Sequence, residues 1–194
     1  MTDVPASSPN WDLLFELAAA QDGMFTTRQA EQAGYSSQLL AHHIGAGRMI
    51  RVRRGAYRLV HFPAGDHEEL TVLWLWSDRA GVFSHQTALA LHDLSDTLPS
   101  QVHMTLPEAW RTRRFRVPDG LQPYFRDIPE QDRRWFGPVP ATDPARTLND
   151  CAEEHFEPDL LRQAGREALS RGLVNRRDLS AVEDALEPFG GLAP

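Results

Sequence analysis

The sequence predicts an α+β fold made of a small N-terminal domain and a larger, helix-rich C-terminal domain. Capping residues and apolar residues at helical spacing mark three short helices within residues 8–47. Residues 49–60 alternate in polarity around a glycine turn, as a β-hairpin does. Twelve of the 14 prolines lie at or after position 63, so we place a domain boundary there. The expected domains are residues 1–65 and 66–194.

Three residues with side chains that cap helices mark the starts of the N-terminal helices: Ser8, Thr26 and Ser36. The first helix has Pro9 at its first position, and its apolar stripe is expected to be Trp11, Leu14 or Phe15, and Ala18. Gln29 stands three residues after Thr26, which is the spacing of a capping box. The third helix is expected to end near Gly47, because glycine readily adopts the left-handed conformation that ends helices.

A β-hairpin follows the third helix directly. Ile50 and Val52 alternate with Arg51 and Arg53, and Arg54-Gly55 supplies a tight turn. The returning strand carries Tyr57 and Leu59 on one side and Arg58 on the other. We therefore expect one buried side and one arginine-rich side. Three helices followed by such a hairpin predict a winged helix-turn-helix.

Charge is distributed unevenly along the chain. The formal net charge is −7, and all 20 basic residues are arginines. Residues 26–62 contain six arginines and one acid, Glu31, which gives +5 and leaves −12 for the rest. A local basic patch is what binds phosphate, so this segment favours nucleic acid, whereas a solvated basic face is the alternative. The acidic remainder predicts that the partner of the C-terminal domain is not DNA.

The third helix offers a side that could enter the major groove of double-stranded DNA. At about 100° per residue, one face carries Leu40, His43 and Ile44 towards the core. The opposite face carries Gln38, Ala41, His42 and Gly45. A glutamine can read adenine through N6 and N7, and the helix start at Ser36 and Ser37 can hold a phosphate. The alternative is that these are ordinary surface residues.

Arginines complete the predicted DNA-binding surface. Those of the hairpin are expected to clamp phosphates, while Arg28 lies where the preceding helix crosses the backbone. Arg48 could instead complement the dipole of the third helix. The candidate DNA-binding residues are Arg28, Ser36, Ser37, Gln38, His42, Arg48, Arg51, Arg53, Arg54 and Arg58.

The C-terminal part carries a second basic cluster. Beyond the boundary, residues 66–80 and 84–94 are predicted to be helices, residues 102–106 a strand, and residues 111–141 short strands and loops. Further helices are expected to start at Asp143-Pro144, Pro158 and Asn175. The basic cluster consists of Arg111, Arg113, Arg114 and Arg116. A solvated strand face paired with nearby carboxylates is favoured for it over a second nucleic-acid surface.

Nothing in the sequence predicts a catalytic, metal or cofactor site. The eight histidines lack zinc spacing, and the single cysteine, Cys151, lies in an apolar stripe as a core residue would. Ser84-His85 lacks the surroundings of a nucleophile elbow. The longest apolar run is far too short to span a membrane, and the N-terminus lacks the pattern of a signal peptide. We expect a cytoplasmic protein that is not an enzyme.

The sequence resembles the AbiEi-type antitoxins of bacterial type IV toxin–antitoxin systems, the AbiE abortive-infection family. The matching stretches are MFTTRQAEQAGYSSQLLAHHIGAGRMIRVRRGAYRL (24–59), GVFSHQTALALHDL (81–94), VHMTLP (102–107) and VPATDPARTLNDCA (139–152). The resemblance implies a winged domain that represses its own operon from repeated half-sites. It also implies a C-terminal domain that counters a nucleotidyltransferase toxin without a stable complex.

Two departures from the family bear on function. His42 and His43 stand where relatives often have Arg or Lys, which predicts weaker or pH-sensitive DNA binding. Some similar N-terminal modules are fused to a nuclease, but this chain has no lysine for the Asp, Glu and Lys site of such enzymes. The alternatives are a nuclease-like enzyme and a protein-interaction module built on a winged helix.

Overall fold

The computed structural model describes residues 8–95 and 99–192 and has the α+β composition that the sequence predicts. Two compact units are distinguished by their internal packing. The first comprises Met1–Arg79 with Gly137–Val139, and the second comprises Ala80–Phe136 with Pro140–Pro194. None of the helices in the described ranges is long and apolar enough to cross a membrane.

The first unit consists of four helices and a three-stranded antiparallel sheet. In chain order its elements are α1 (Trp11–Ala19), β1 (Met24–Thr26), α2 (Thr27–Gln32), α3 (Ser37–Gly45), β2 (Met49–Arg53), β3 (Ala56–Leu59) and α4 (Glu68–Trp76). The sheet has the order β1-β3-β2. The predicted hairpin is β2 and β3, whereas β1 is a short strand that the sequence analysis did not predict.

Two of the three predicted caps are confirmed. The Thr26 and Gln29 side chains form the reciprocal capping box at α2, and Ser36 Oγ accepts from the Leu39 N–H at α3. The cap of α1 is Asn10 and not Ser8, because the Asn10 side chain accepts from Leu13 N at 3.0 Å. The Asn10 N–H also donates to the Ala33 carbonyl at 2.8 Å, which fixes the start of α1 against the end of α2.

The core of the first unit forms where α1, α3 and the sheet meet. Its buried members are Leu14, Ala18, Phe25, Ala30, Ala33, Tyr35, Leu40, Met49 and Leu59. The predicted stripe of α1 is therefore half correct, since Trp11 and Phe15 are 43% and 44% exposed. The nine-residue helix buries one narrow stripe, and the two aromatic rings lie beside it, tilted with 6.3 Å between their centroids.

Strand β2 buries the side opposite to the one we expected, whereas on β3 the expected side is buried through Leu59. Met49 is fully buried, whereas Ile50 and Val52 are 44% and 42% exposed. The predicted alternation is present, but the burial of Met49 in the core puts the even-numbered residues of β2 outside. Arg51 therefore lies on the same face of β2 as Met49, but it is exposed.

Helix α4 lies in the first unit, so the predicted boundary after residue 65 differs from the observed division after Arg79. The helix packs against β1 and β3 of the sheet. Its first residue, Glu68, pairs with Arg58 of β3. Pro63, the proline at which the boundary was placed, belongs to the connection between β3 and α4.

The second unit combines a five-stranded sheet with four helices. Its strands are β4 (Val82–Phe83), β5 (Val102–Leu106), β6 (Leu121–Phe125), β7 (Arg133–Phe136) and β8 (Val139–Thr142), in the order β6-β5-β4-β8-β7. The helices are α5 (His85–Leu91), α6 (Pro144–Glu153), α7 (Pro158–Ser170) and α8 (Ser180–Leu186). Cys151 belongs to the apolar core of these helices, and burial raises its pKa. Asn175 caps a 3-10 turn (Arg176–Asp178) that precedes α8, and not α8 itself.

Candidate nucleic-acid interface

A buried pair of glutamines positions α2 in the first unit. Gln21 and Gln29 are each 3% exposed. Gln29 Nε2 donates to Gln21 Oε1 at 2.9 Å, and Gln21 Nε2 donates to the Met24 carbonyl at 2.9 Å. Gln29 Oε1 also accepts from the Thr26 N–H at 2.9 Å. These hydrogen bonds tie the start of α2 to the turn after α1. Only four residues, 33–36, connect α2 to α3.

The orientation of α3 agrees with the sequence prediction. Leu40 is buried, and His43 and Ile44 are half-buried towards the core. The opposite face, Gln38, Ala41, His42 and Gly45, is exposed. The exposed amide and imidazole therefore lie on a convex helical surface of the size that a major groove accepts.

His42 and His43 differ in their surroundings although they are neighbours in sequence. The ring of His43 packs against Tyr35, with 5.6 Å between ring centroids. Burial lowers the pKa of His43, and the positive charges of Arg48 and His42 lower it further. His43 is thus part of the border of the core, while His42 is the solvent-facing member of the pair.

The two serines at the start of α3 differ in whether their hydroxyl groups cap the helix. Ser36 Oγ is engaged as the helix cap, at 3.2 Å from Leu39 N. Ser37 and Gln38 lie in the first turn, and both side chains are exposed. A ligand at this end would meet the Ser37 hydroxyl and backbone N–H groups rather than the Ser36 hydroxyl.

Four exposed arginines surround the hairpin. The side chains of Arg48, Arg51, Arg53 and Arg54 make no hydrogen bond or ion pair with any described residue. Gly55, with φ of +83°, closes the turn that carries Arg54. The register shifts between Arg51 and Arg53, and such a bulge re-aims the side chains that follow it. The four guanidinium groups are therefore free to meet phosphates.

Arg28 and Arg58, the other candidate arginines, are already engaged. Arg28 Nη2 lies 2.5 Å from Asp78 Oδ1 in an exposed ion pair. Arg58 Nη2 lies 3.0 Å from Glu68 Oε1 and donates to the Phe62 carbonyl at 3.0 Å. The Arg58 side chain is only 17% exposed. Arg58 thus holds α4 to the sheet, and sequence reasoning missed Glu68 and Asp78 because they lie outside the basic segment.

A polar cavity of about 230 Å³ lies within the second unit. His85 and Tyr124 stack in its wall, with 3.7 Å between ring centroids, and Arg146 Nε donates to Asp150 Oδ1 at 2.8 Å. Burial lowers the pKa of His85 to about 3 and raises that of Tyr124 to about 12. Both groups are therefore uncharged at neutral pH.

No three or more His, Cys, Asp or Glu side chains are arranged to hold a metal ion within the described ranges. The single cysteine is buried in the core of the second unit.

The fold and the exposed arginines define the molecule as an α+β protein with a basic helix–hairpin surface. Residues 12–60 match the family described as "Transcriptional regulator, AbiEi antitoxin". The resemblance to AbiEi-type antitoxins is therefore confirmed in this part of the chain, and it supports a role as antitoxin or transcriptional regulator.

Among solved structures, the crystal structure of the RV2827C protein from Mycobacterium tuberculosis is similar to this chain. The similarity covers 98% of this chain and 82% of that one, with a TM-score of 0.49 and 15% sequence identity. No curated protein matches the chain.

Proposed function

We propose that this protein is a DNA-binding transcriptional repressor that also acts as an antitoxin. In this proposal the first unit is a winged helix-turn-helix, with α3 in the major groove and the β2–β3 hairpin as the wing. It binds double-stranded operator DNA beside its own gene, in the cytoplasm. The observation that most strongly supports this proposal is the exposed face of α3. It is flanked by four arginines whose side chains have no partner among the described residues.

The roles within this interface follow from the contacts already made. Arg48, Arg51, Arg53 and Arg54 bind phosphates, because their guanidinium groups are exposed and unengaged. Gln38 and His42 face base edges, and Ser37 with the first turn of α3 meets a phosphate. Arg28 contributes by exchanging its exposed ion pair with Asp78 for a phosphate, while Ser36 and Arg58 mainly hold the fold.

Binding to operator DNA can be tested directly on the full-length chain. The probe is labelled duplex DNA from the region upstream of its own gene, and the readout is fluorescence anisotropy. The double variant Arg53→Ala/Arg54→Ala should bind at least 10-fold more weakly. Arg176→Ala/Arg177→Ala is the matched control, since it removes the same charge from exposed, ion-paired positions of the second unit. Equal affinity of the Arg53/Arg54 variant and the native chain would refute the proposal.

We also propose that the second unit neutralises a cognate nucleotidyltransferase toxin without forming a stable complex. This part of the proposal is supported by the antitoxin family matched at residues 12–60 and by the resemblance of residues 81–94, 102–107 and 139–152. The test is bacterial growth with the neighbouring toxin gene under an independent promoter. The Arg53→Ala/Arg54→Ala variant should lose repression but still rescue growth. Loss of both together would show that neutralisation works through repression.

A further inference from the structure

The segment from Trp110 to Val117 contains four arginines and no acidic residue. The expected strand face paired with carboxylates is not what the structure contains. Residues 113–118 have no regular secondary structure, and Arg111 is the arginine of this segment that has a carboxylate partner in the described ranges. Arg111 Nε and Nη2 donate to the two oxygens of Glu108 at 2.7 and 3.1 Å.

Aromatic contacts hold this segment, which we call the arginine loop (residues 110–117), in a defined place. Trp110 and Phe115 meet edge to face with 5.6 Å between centroids, and Phe115 meets Phe125 of β6 at 6.4 Å. Arg111 donates to the Phe125 carbonyl at 2.9 Å. The loop is thus anchored to the sheet of the second unit at both ends, so little ordering is required of its backbone when a ligand binds.

The outer arginines of the loop, Arg113, Arg114 and Arg116, have no carboxylate partner in the described part of the chain. The guanidinium of Arg113 lies over the Trp110 ring, 4.4 Å from its centroid. Arg114 and Arg116 are exposed and make no hydrogen bond or ion pair in the described part of the chain. Other arginines of this unit behave differently, since Arg126, Arg146 and Arg162 all pair with carboxylates.

Three positive charges within four residues repel one another, and an extended polyanion relieves that repulsion best. A nucleic-acid backbone supplies a continuous line of phosphates, and neutralising it releases counterions. The planar guanidinium groups match phosphate oxygens in a bidentate manner. The stack on Trp110 restrains the plane of Arg113 while its N–H groups remain able to donate.

We propose that the arginine loop binds the phosphodiester backbone of nucleic acid, as a second site independent of the hairpin. Because the proposed contacts are with phosphates, they are independent of sequence, and DNA or RNA can supply the phosphates. The acidic balance of the surrounding residues does not prevent this, because counterion release depends on the local patch. The proposal departs from our expectation that the partner of the C-terminal domain is not DNA.

The test uses the full-length chain with two labelled probes, a 20-nucleotide single-stranded RNA and a duplex DNA without operator sequence. The variant Arg113→Ala/Arg114→Ala/Arg116→Ala should bind at least one probe 10-fold more weakly or worse. The slope of log affinity against log salt concentration should flatten by about 2 for single strands or about 3 for duplex. The probe that responds identifies the source of the phosphates.

The matched control is Arg171→Ala/Arg176→Ala/Arg177→Ala, which removes the same charge from three ion-paired arginines of the same unit. It should change affinity less than twofold. A second variant, Arg114→Ala/Arg116→Ala, keeps the Arg113–Trp110 stack and guards against misfolding. Equal losses in loop and control variants would overturn the proposal, as would unchanged binding of both probes by the loop variant. Loss of toxin neutralisation with unchanged binding would assign the loop to a protein partner instead.

These outcomes are separable from failure of the proposed operator binding. That function depends on Arg53 and Arg54, and its probe is the upstream duplex. A chain that loses operator binding through the hairpin variant but retains loop-dependent RNA binding would support both sites.

Discussion

Arg58 and Glu68 form an ion pair that joins the β2–β3 hairpin to α4, with Nη2 lying 3.0 Å from Oε1. The two side chains are 17% and 32% exposed. Removing the cation leaves a partly shielded carboxylate without its partner, which costs more than loss of an exposed pair. Arg58 thus has a structural role that the neighbouring arginines of the hairpin do not have.

The variant Arg58→Ala should lower the free energy of unfolding by about 2 kcal/mol while changing DNA affinity only slightly. Arg54→Ala should do the opposite, because Arg54 is exposed and has no partner in the described ranges. Urea denaturation and DNA titration of both variants provide the comparison. If Arg58→Ala lost much of its DNA affinity while its stability stayed unchanged, Arg58 would be a phosphate-binding residue after all.

Salt dependence tests how many arginines meet phosphate. Four unengaged arginines around the hairpin predict a slope of log affinity against log salt concentration of about −4 for duplex DNA. Titrations of the operator duplex at several salt concentrations measure this slope. Each single substitution among these four should reduce its magnitude by about 1. A slope near zero would show that phosphate contacts do not drive binding.

Gln38 is expected to carry sequence preference rather than general affinity. It lies on the exposed face of α3, where a side-chain amide can pair with adenine N6 and N7. Gln38→Ala should therefore reduce discrimination between operator and random duplex by ~1–3 kcal/mol. Ser37→Ala is a useful comparison, since it should weaken both probes alike. Unchanged competition by random DNA would show that Gln38 does not read bases.

Much of the first unit follows from local sequence signals. The capping box of Thr26 and Gln29, the cap at Ser36 and the exposed face of α3 were predictable because they depend on residues within a few positions. The faces of β2 were not predictable in the same way. Its alternation is visible in the sequence, but which face is buried depends on how β2 packs against α3, with Met49 in the core.

In the candidate site, too, features set by neighbouring residues could be predicted, and features set by distant residues could not. Exposure of the hairpin arginines follows from their position beside a turn, whereas engagement of Arg28 depends on Asp78, 50 residues away. The conformation of the arginine loop also depends on contacts beyond the local sequence pattern. An alternation of arginine with Phe115 and Val117 resembles a strand, but the edge-to-face contact of Trp110 with Phe115 requires a compact loop.

Acid should destabilise the second unit through His85. Burial lowers the pKa of this histidine to about 3, and in the unfolded chain it returns to about 6.5. Above pH 6.5 both states are neutral, so stability is unaffected. Below that value the unfolded state takes up a proton that the folded state does not, and stability falls by about 1 kcal/mol between pH 7 and 5.5.

His92 and His103 add to this effect, because burial lowers the pKa of each. The variant His85→Asn removes the proton uptake and suits the positive φ of 49° at this position. Its urea midpoint should depend less on pH than that of the native chain. An identical pH dependence in the variant would assign the acid sensitivity to other groups.

The division of the chain after Arg79 can be tested with two fragments, residues 1–65 and residues 1–79. The longer fragment contains α4, which packs against β1 and β3 and supplies Glu68 to Arg58. The shorter one exposes that side of the sheet and leaves the Arg58 guanidinium without its carboxylate. Fragment 1–65 should therefore unfold at a lower temperature, with a loss of roughly 2 kcal/mol or more in unfolding free energy.

Both fragments retain α3 and the hairpin, so operator affinity measured well below the unfolding temperature should be similar for the two. Circular dichroism melting with DNA titration makes the comparison, and equal melting temperatures would place the boundary after residue 65 as the sequence predicted.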